Sequence, residues 1–407
     1  MTNIKSSRPR IGLALAGGGP LGAIYEVGAL CALEESLAGI DFTDCHSYIG
    51  VSAGGIIAAG LANGLSPREQ CASFIENVGA AEDIFKPSMM VRPAWREFAR
   101  RLASLPALAA GAALRYVFTW RSLASTLGHF GSALPTGVFS NDAIDEQLSR
   151  QFGVAGRTND FRQLKRKLVL VATDLDSGDS APFGQPGFDH VPISKAVQAS
   201  SALPGLFPPV EIDGRFYVDG ALKKTLHASV LLDEGLDLLI CLNPLVPFDA
   251  TRAPRHRVLS RHQGRIPRLV DGGLPVVLSQ TFRTLIHSRL EIGMKGYERS
   301  HPDTTIVLFE PDHRDPQMFL ANTFSYTHRR ALAEHAYQQT RAMLRSRRGE
   351  LNRQFAPHGV HIFDAVVNDP QRRLLAAPKP KRRHGADALR RLEGVLDDLD
   401  AALAARA

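Results

Sequence analysis

Ser47-Tyr48-Ile49-Gly50-Val51-Ser52-Ala53-Gly54-Gly55 is the stretch that decides the fold. Residues 47–51 form a short apolar run with the length of a buried strand, and residues 53–63 are small helix formers that stop at Gly64. The junction is a Gly-x-Ser-x-Gly, so a serine stands on a sharp strand-to-helix turn. Gly50 and Gly54 flank it because such a turn brings neighbouring backbones too close for side chains, leaving the Ser52 hydroxyl at a helix N-terminus. Working outward, residues 11–16 read as an earlier strand. Gly17-Gly18-Gly19-Pro20-Leu21-Gly22 follows, and then a helix with apolar residues at Ile24, Val27, Leu30, Leu33 and Leu37. Strand, helix, strand, helix predicts an α/β fold with parallel strands.

Three elements carry chemistry. Ser52 is a candidate nucleophile. The glycine run opens a helix, so backbone N–H groups there lack helical partners and suit a developing oxyanion, where one donor is worth about 3 kcal/mol. Tyr217-Val218-Asp219-Gly220-Ala221 places an aspartate at a strand end followed by two small residues, making Asp219 a candidate base. The glycine run also satisfies Gly-x-Gly-x-x-Gly, a dinucleotide-binding pattern. That reading needs an acidic residue at the end of the second strand, where this chain has the serine turn. No Gly-Lys-Ser/Thr follows the glycines, which excludes a P-loop.

With these pieces in this order the chain resembles the patatin-like phospholipases. Val171-Ala172-Thr173-Asp174-Leu175-Asp176-Ser177-Gly178 and the block from Ala199-Ser200-Ser201 through Pro208-Pro209-Val210 are similar to two further family blocks, so the likeness spans about residues 10–245. The resemblance implies a three-layer α/β/α sandwich with a mainly parallel central sheet. It further implies lipid acyl ester hydrolysis of the phospholipase A or lysophospholipase type by a Ser–Asp dyad. Ser52 would be the nucleophile, Asp219 the general base, and Gly17, Gly18 and Gly19 the oxyanion hole, with no cofactor and no metal. Asp174 and residues 200–209 would shape the wall around the dyad. Leu21 replaces the family's usual Arg or Lys, Ala221 its commoner second glycine, and Thr225-Leu226-His227 its Asn-x-Pro. His227 is expected to be structural. Two alternatives stand beside this reading: an α/β-hydrolase triad completed by His287, His301 or His313, and a lipid-binding protein of the same fold without turnover.

A length of 407 residues with 44% hydrophobic content supports a large core. Cys31, Cys45, Cys71 and Cys241 are too scattered for a zinc or disulfide framework. The net charge of +7 favours anionic surfaces, but the arginines form no nucleic-acid motif, so the expected partner is lipid, with transient membrane contact. The first apolar run is too short for a signal peptide, and the longest, residues 105–120, is broken by Pro106, Gly111 and Arg115. A cytoplasmic protein, peripheral at membranes, is expected. The domain map predicted is a hydrolase domain over 8–330 with a helical cap at 85–135, a helical extension over 331–375, and a basic linker with a terminal amphipathic helix over 376–407. Aromatic residues and arginines between 92 and 121 suit a lipid interface.

Overall fold

The computed structural model describes residues 8–84, 92–119, 134–251, 268–320 and 328–375. The elements in chain order are β1 (Ile11–Leu15), α1 (Gly19–Ser36), β2 (Leu37–Ala38), β3 (Ser47–Gly50), α2 (Ala53–Ala62), α3 (Pro67–Cys71), α4 (Trp95–Thr119) and α5 (Asp142–Phe152). They continue as β4 (Lys167–Asp174), β5 (Ser180–Phe183), α6 (Ile193–Ser200), β6 (Val210–Ile212), β7 (Arg215–Asp219), α7 (Ser229–Leu232), β8 (Leu238–Leu242) and α8 (Gly273–Ser300). The described elements end with β9 (Thr305–Phe309), α9 (Pro316–Leu320), α10 (Arg329–Ser346), α11 (Arg348–Phe355), β10 (His361–Ile362) and α12 (Asp364–Val367).

The central sheet has eight strands in the order β6-β7-β4-β3-β1-β8-β9, with β5 also on β4. Strands β4, β3, β1, β8 and β9 run parallel, β5 and β7 pair antiparallel with β4, and β6 pairs antiparallel with β7. Every residue of β1, β3 and β8 is buried, as parallel strands covered on both faces must be. Side chains alternate between the faces. Ala14, Ile49, Val169, Val171, Leu239 and Cys241 pack with Leu226, Leu231 and Leu290, so the segment after β7 and helix α8 cover that side. α1 and α2 form the other layer: a Cβ at Gly55 of α2 would touch the Leu170 side chain. The result is the expected three-layer α/β/α sandwich with a mainly parallel sheet. The antiparallel β5–β7 corner was not predicted, because strand direction leaves no local mark on sequence.

All of α2 is buried, which small residues permit by letting it lie close to the sheet. α1 is sandwiched against α10, and Gly28 is where they meet most closely: a Cβ there would lie 2.4 Å from the Ala333 carbonyl oxygen. The segment after residue 330 is therefore packed into the same compact unit, which runs to Leu374. Tyr337 donates to Glu35 (2.6 Å), and buried Arg341 donates to the Val366 and Asp369 carbonyls (both 2.6 Å). β10 returns to pair antiparallel with β2, a contact two residues long and too short for a sequence pattern to announce. The four cysteines are buried free thiols. The expected linker and terminal helix over 376–407 lie outside the described residues.

Candidate active site

Ser52 follows β3 and caps α2 with φ 53° and ψ −123°, a left-handed conformation rare for a residue with a side chain. Such a backbone costs on the order of 1–3 kcal/mol, so neighbours must hold it. Its N–H donates to Ser200 Oγ (2.8 Å), whose own proton goes to the Val171 carbonyl (2.6 Å). The Val51 N–H donates to Leu15 (3.1 Å) and the Gly55 N–H to Ser52 itself (2.9 Å). The two flanking glycines are required by space alone. A Cβ on Gly50 would meet Gly55 Cα at 2.6 Å, and one on Gly54 would lie 2.5 Å from both the Leu15 and Ala16 carbonyl oxygens. The Ser52 side chain makes no capping bond to α2, which leaves the hydroxyl for another partner.

Close to that hydroxyl stands Asp219. It ends β7, is almost fully buried, and is fixed from both ends: its N–H donates to the Ala202 carbonyl (3.0 Å), and its Oδ1 accepts from the Ala221 N–H (2.8 Å). Burial raises the carboxyl to about 6, and the Ala221 N–H bond and the nearby Ser52 hydroxyl pull the other way. Gly220 permits the approach, since a Cβ there would lie 2.2 Å from the Val171 carbonyl oxygen of β4. Behind the turn, buried His227 is held neutral, lowered to about 4 chiefly by burial, so its Nε2–H donates to the Gly220 carbonyl (3.2 Å). It is structural, as expected.

The glycine turn closes the third side. A Cβ on Gly17 would lie 3.0 Å from Ser52 Cβ and 3.2 Å from Ala221 Cβ, so the three sequence motifs meet at one point. α1 begins at Gly19 with Gly18 as its cap, no side-chain cap and no acidic residue in its first turn. Its leading N–H groups thus keep their partial positive charge unopposed. Gly18 sits against Pro244, where a Cβ would come within 2.7 Å of Pro244 Cγ.

The other candidates fall elsewhere. Asp174 is a turn residue, its Oδ1 accepting from Asp176 N–H (3.0 Å) and Ser177 N–H (3.1 Å) and its Oδ2 from Arg215 (3.1 Å). His301 pairs with Asp233 (3.1 Å), and His287 and His313 face Glu310. Of the atypical positions, Leu21 is buried, and Thr225 donates to the Ile286 carbonyl (3.1 Å), tying α8 to the Asp219 segment. Two contributions escaped the sequence reading: the bond from Ser200 to the Ser52 backbone, and Pro244 behind the glycine turn. Neither has a local signal. In α4, Trp95 is exposed while Glu97 is buried and paired with Arg100 and Arg101. Trp120 lies outside the described residues.

This arrangement defines a serine-centred α/β site, and the comparisons give its class. The family model of the patatin-like phospholipases matches residues 13–232, more than half of the chain, and the chain belongs to that family. An uncharacterized NTE family protein of Mycobacterium tuberculosis is 27% identical over 239 residues, which are 58% of this chain and 50% of that protein. An uncharacterized protein of Acanthamoeba polyphaga mimivirus is 26% identical over 233 residues, covering 56% of this chain and 63% of the other. The chain thus spans about half the length of the first of these relatives. Among solved structures, VipD from Legionella pneumophila aligns over 84% of this chain and 68% of its own, at 16% identity and a TM-score of 0.38. The type III effector protein ExoU aligns over 84% of this chain and 53% of its own, at 15% identity and a TM-score of 0.35.

Proposed function

We propose that this protein hydrolyses acyl esters of phospholipids or lysophospholipids through an acyl-serine intermediate, with Ser52 as nucleophile and Asp219 as its general base. The observation that carries the reading is a left-handed Ser52 beside a buried carboxyl, with the glycine turn close against both motifs. The Asp219 carboxylate takes the Ser52 proton as Oγ attacks the ester carbonyl. The oxyanion forms beside the N–H groups of Gly17, Gly18 and Gly19 at the start of α1. Collapse of that intermediate expels the alcohol, protonated from Asp219. Water, deprotonated by the same carboxylate, then frees the fatty acid. A carboxyl raised to about 6 is a stronger base than an ordinary aspartate and is still ionised at neutral pH. Reaction with a fluorophosphonate probe tests the site. The expected result is one adduct on Ser52, absent in Ser52→Ala, together with fatty-acid release from a lipid panel. An unlabelled but folded protein would favour the non-catalytic lipid-binding reading.

The same reading supplies a route to the lipid surface. α8 buries Arg283, Ile286, His287 and Leu290 and turns the opposite face outward, where Leu274, Leu278, Phe282, Leu285 and Ile292 are exposed. At about 100° per residue these five lie on one stripe, joined by Arg289, Lys295 and Arg299, with Glu291 and Glu298 off to the sides. An apolar stripe flanked by cations suits an anionic membrane interface. Arg289 donates to the Leu222 carbonyl (2.6 Å), so the stripe adjoins the Asp219 segment. No helix among the described residues is long and apolar enough to cross a membrane. Phe282→Asp with Leu285→Asp should reduce binding to phosphatidylserine-containing vesicles by at least about tenfold, given roughly 1.5–3 kcal/mol per buried side chain, and spare turnover of a soluble short-chain ester. Unchanged vesicle binding, or a dimer that these substitutions dissociate, would assign the stripe elsewhere.

A further inference from the structure

Two of the three histidines that the alternative triad would have used, His287 and His313, are gathered at a different place. His287 comes from the buried face of α8, Glu310 follows the last residue of β9, and His313 stands three residues further on. One ligand atom from each lies within 4.8 Å of the other two. His287 Nε2 is 3.5 Å from Glu310 Oε2, and His313 Nε2 is 3.7 Å from Glu310 Oε1. Both distances exceed the 2.7–3.2 Å typical of a hydrogen bond. Each is close to the tetrahedral edge of about 3.4 Å for ligands roughly 2.1 Å from a central ion, the two running to different oxygens of one carboxylate within a group that spans 4.8 Å. The two rings meet edge to face at 4.8 Å and 87°.

The surroundings have the form of an outer shell. Asn243, just past β8, donates from Nδ2 to Glu310 Oε2 (3.3 Å), orienting the carboxylate. The second nitrogen of His287, Nδ1, lies 3.9 Å from Glu291 Oε1, which adds negative charge on the far side of the ring. The cluster occupies the carboxyl ends of parallel strands β8 and β9, the edge of an open α/β sheet where ligands are taken. The His313 side chain is 38% exposed and gives access from solvent.

We propose that His287, Glu310 and His313 form a binding site for a divalent transition ion of the zinc class, separate from the Ser52 centre. Two imidazoles and one carboxylate are a donor set for zinc and its neighbours rather than for magnesium or calcium, which take oxygen ligands. The role is structural bracing. The ion ties α8 to the ends of β8 and β9, and the next residue after Asn243 is Pro244, which packs against Gly18 and Gly22 of the glycine turn. The fourth position is left to water.

Titration of the full chain, dialysed against chelator, with zinc chloride by calorimetry tests this directly. One high-affinity zinc per chain is expected, with a raised melting temperature when zinc is bound. Cobalt(II) in its place should give the visible absorption of a four-coordinate ion. His313→Ala, at a partly exposed loop position, should weaken zinc binding by at least about tenfold and abolish the cobalt spectrum, while the metal-free melting temperature stays at the wild-type value. Glu310→Gln, which keeps a hydrogen-bond acceptor for Asn243, should do the same. The proposal is overturned if wild-type protein takes up no zinc at micromolar concentration, or if both variants bind zinc and cobalt as wild type does. Neither readout involves ester hydrolysis.

Discussion

Asp219→Asn is expected to lower kcat for ester hydrolysis by about 10³-fold, within the range a positioned general base supplies. His287→Ala, His301→Ala and His313→Ala should each leave kcat within a few-fold of wild type, because those side chains are partnered with Glu310 and Asp233 rather than with Ser52. The wild-type rate should rise with pH through about 6, where Asp219 ionises, and then level off. A histidine variant as damaging as Asp219→Asn would end the dyad assignment. The same substitution has a second readout of opposite sign. Asp219 has its carboxyl raised, mainly by burial, from the ordinary 3.8 to about 6, so the folded protein holds that proton more tightly than the unfolded chain. The stabilisation linked to protonation is fully present below the ordinary value and is lost as pH rises through about 6. At pH 8 the buried charge therefore costs on the order of 3 kcal/mol, at about 1.4 kcal/mol per unit. Asn carries no charge and keeps an oxygen for the Ala221 N–H. The variant should melt above wild type at pH 8, with the gain fading towards pH 4. Identical melting curves across that range would mean that Asp219 is not perturbed.

The second large effect falls on Gly54. Gly54→Ala puts a methyl 2.5 Å from two backbone carbonyl oxygens at the end of β1, and neither can rotate away. Overpacking of this kind typically costs 1–3 kcal/mol, and here the relief must come from moving the serine turn or parting α2 from the sheet. The expected outcome is a loss of about 3 kcal/mol in stability and no measurable turnover in the fraction that folds. Gly55→Ala is the control, one residue along the same helix. Its methyl would lie 3.3 Å from Leu170 Cδ2, a side-chain atom free to shift, and alanine is the better helix former by about 1 kcal/mol. Gly55→Ala should therefore be close to neutral in chemical denaturation. Equal behaviour of the two variants would contradict the close approach at Gly54.

The elements legible in the sequence are those written within a few consecutive residues. The apolar runs of β1, β3, β8 and β9, the small residues of α2, the glycine turn, and the Gly-x-Ser-x-Gly and Asp-Gly pairs each constrain a local backbone whatever lies beyond. The three motifs could be named as one site only through family resemblance, since nothing in residues 17, 52 and 219 by themselves says that they touch. Tertiary structure decided the rest. It turned β7 antiparallel to β4 and brought Ser200 to the Ser52 N–H across 148 residues of chain. It also folded β10 back onto β2, chose which face of α8 meets solvent, and drew His287 and His313 around Glu310. Periodicity and turn chemistry report on neighbours three or four positions away. A contact between distant segments depends on how whole layers pack, and no short stretch of residues encodes that.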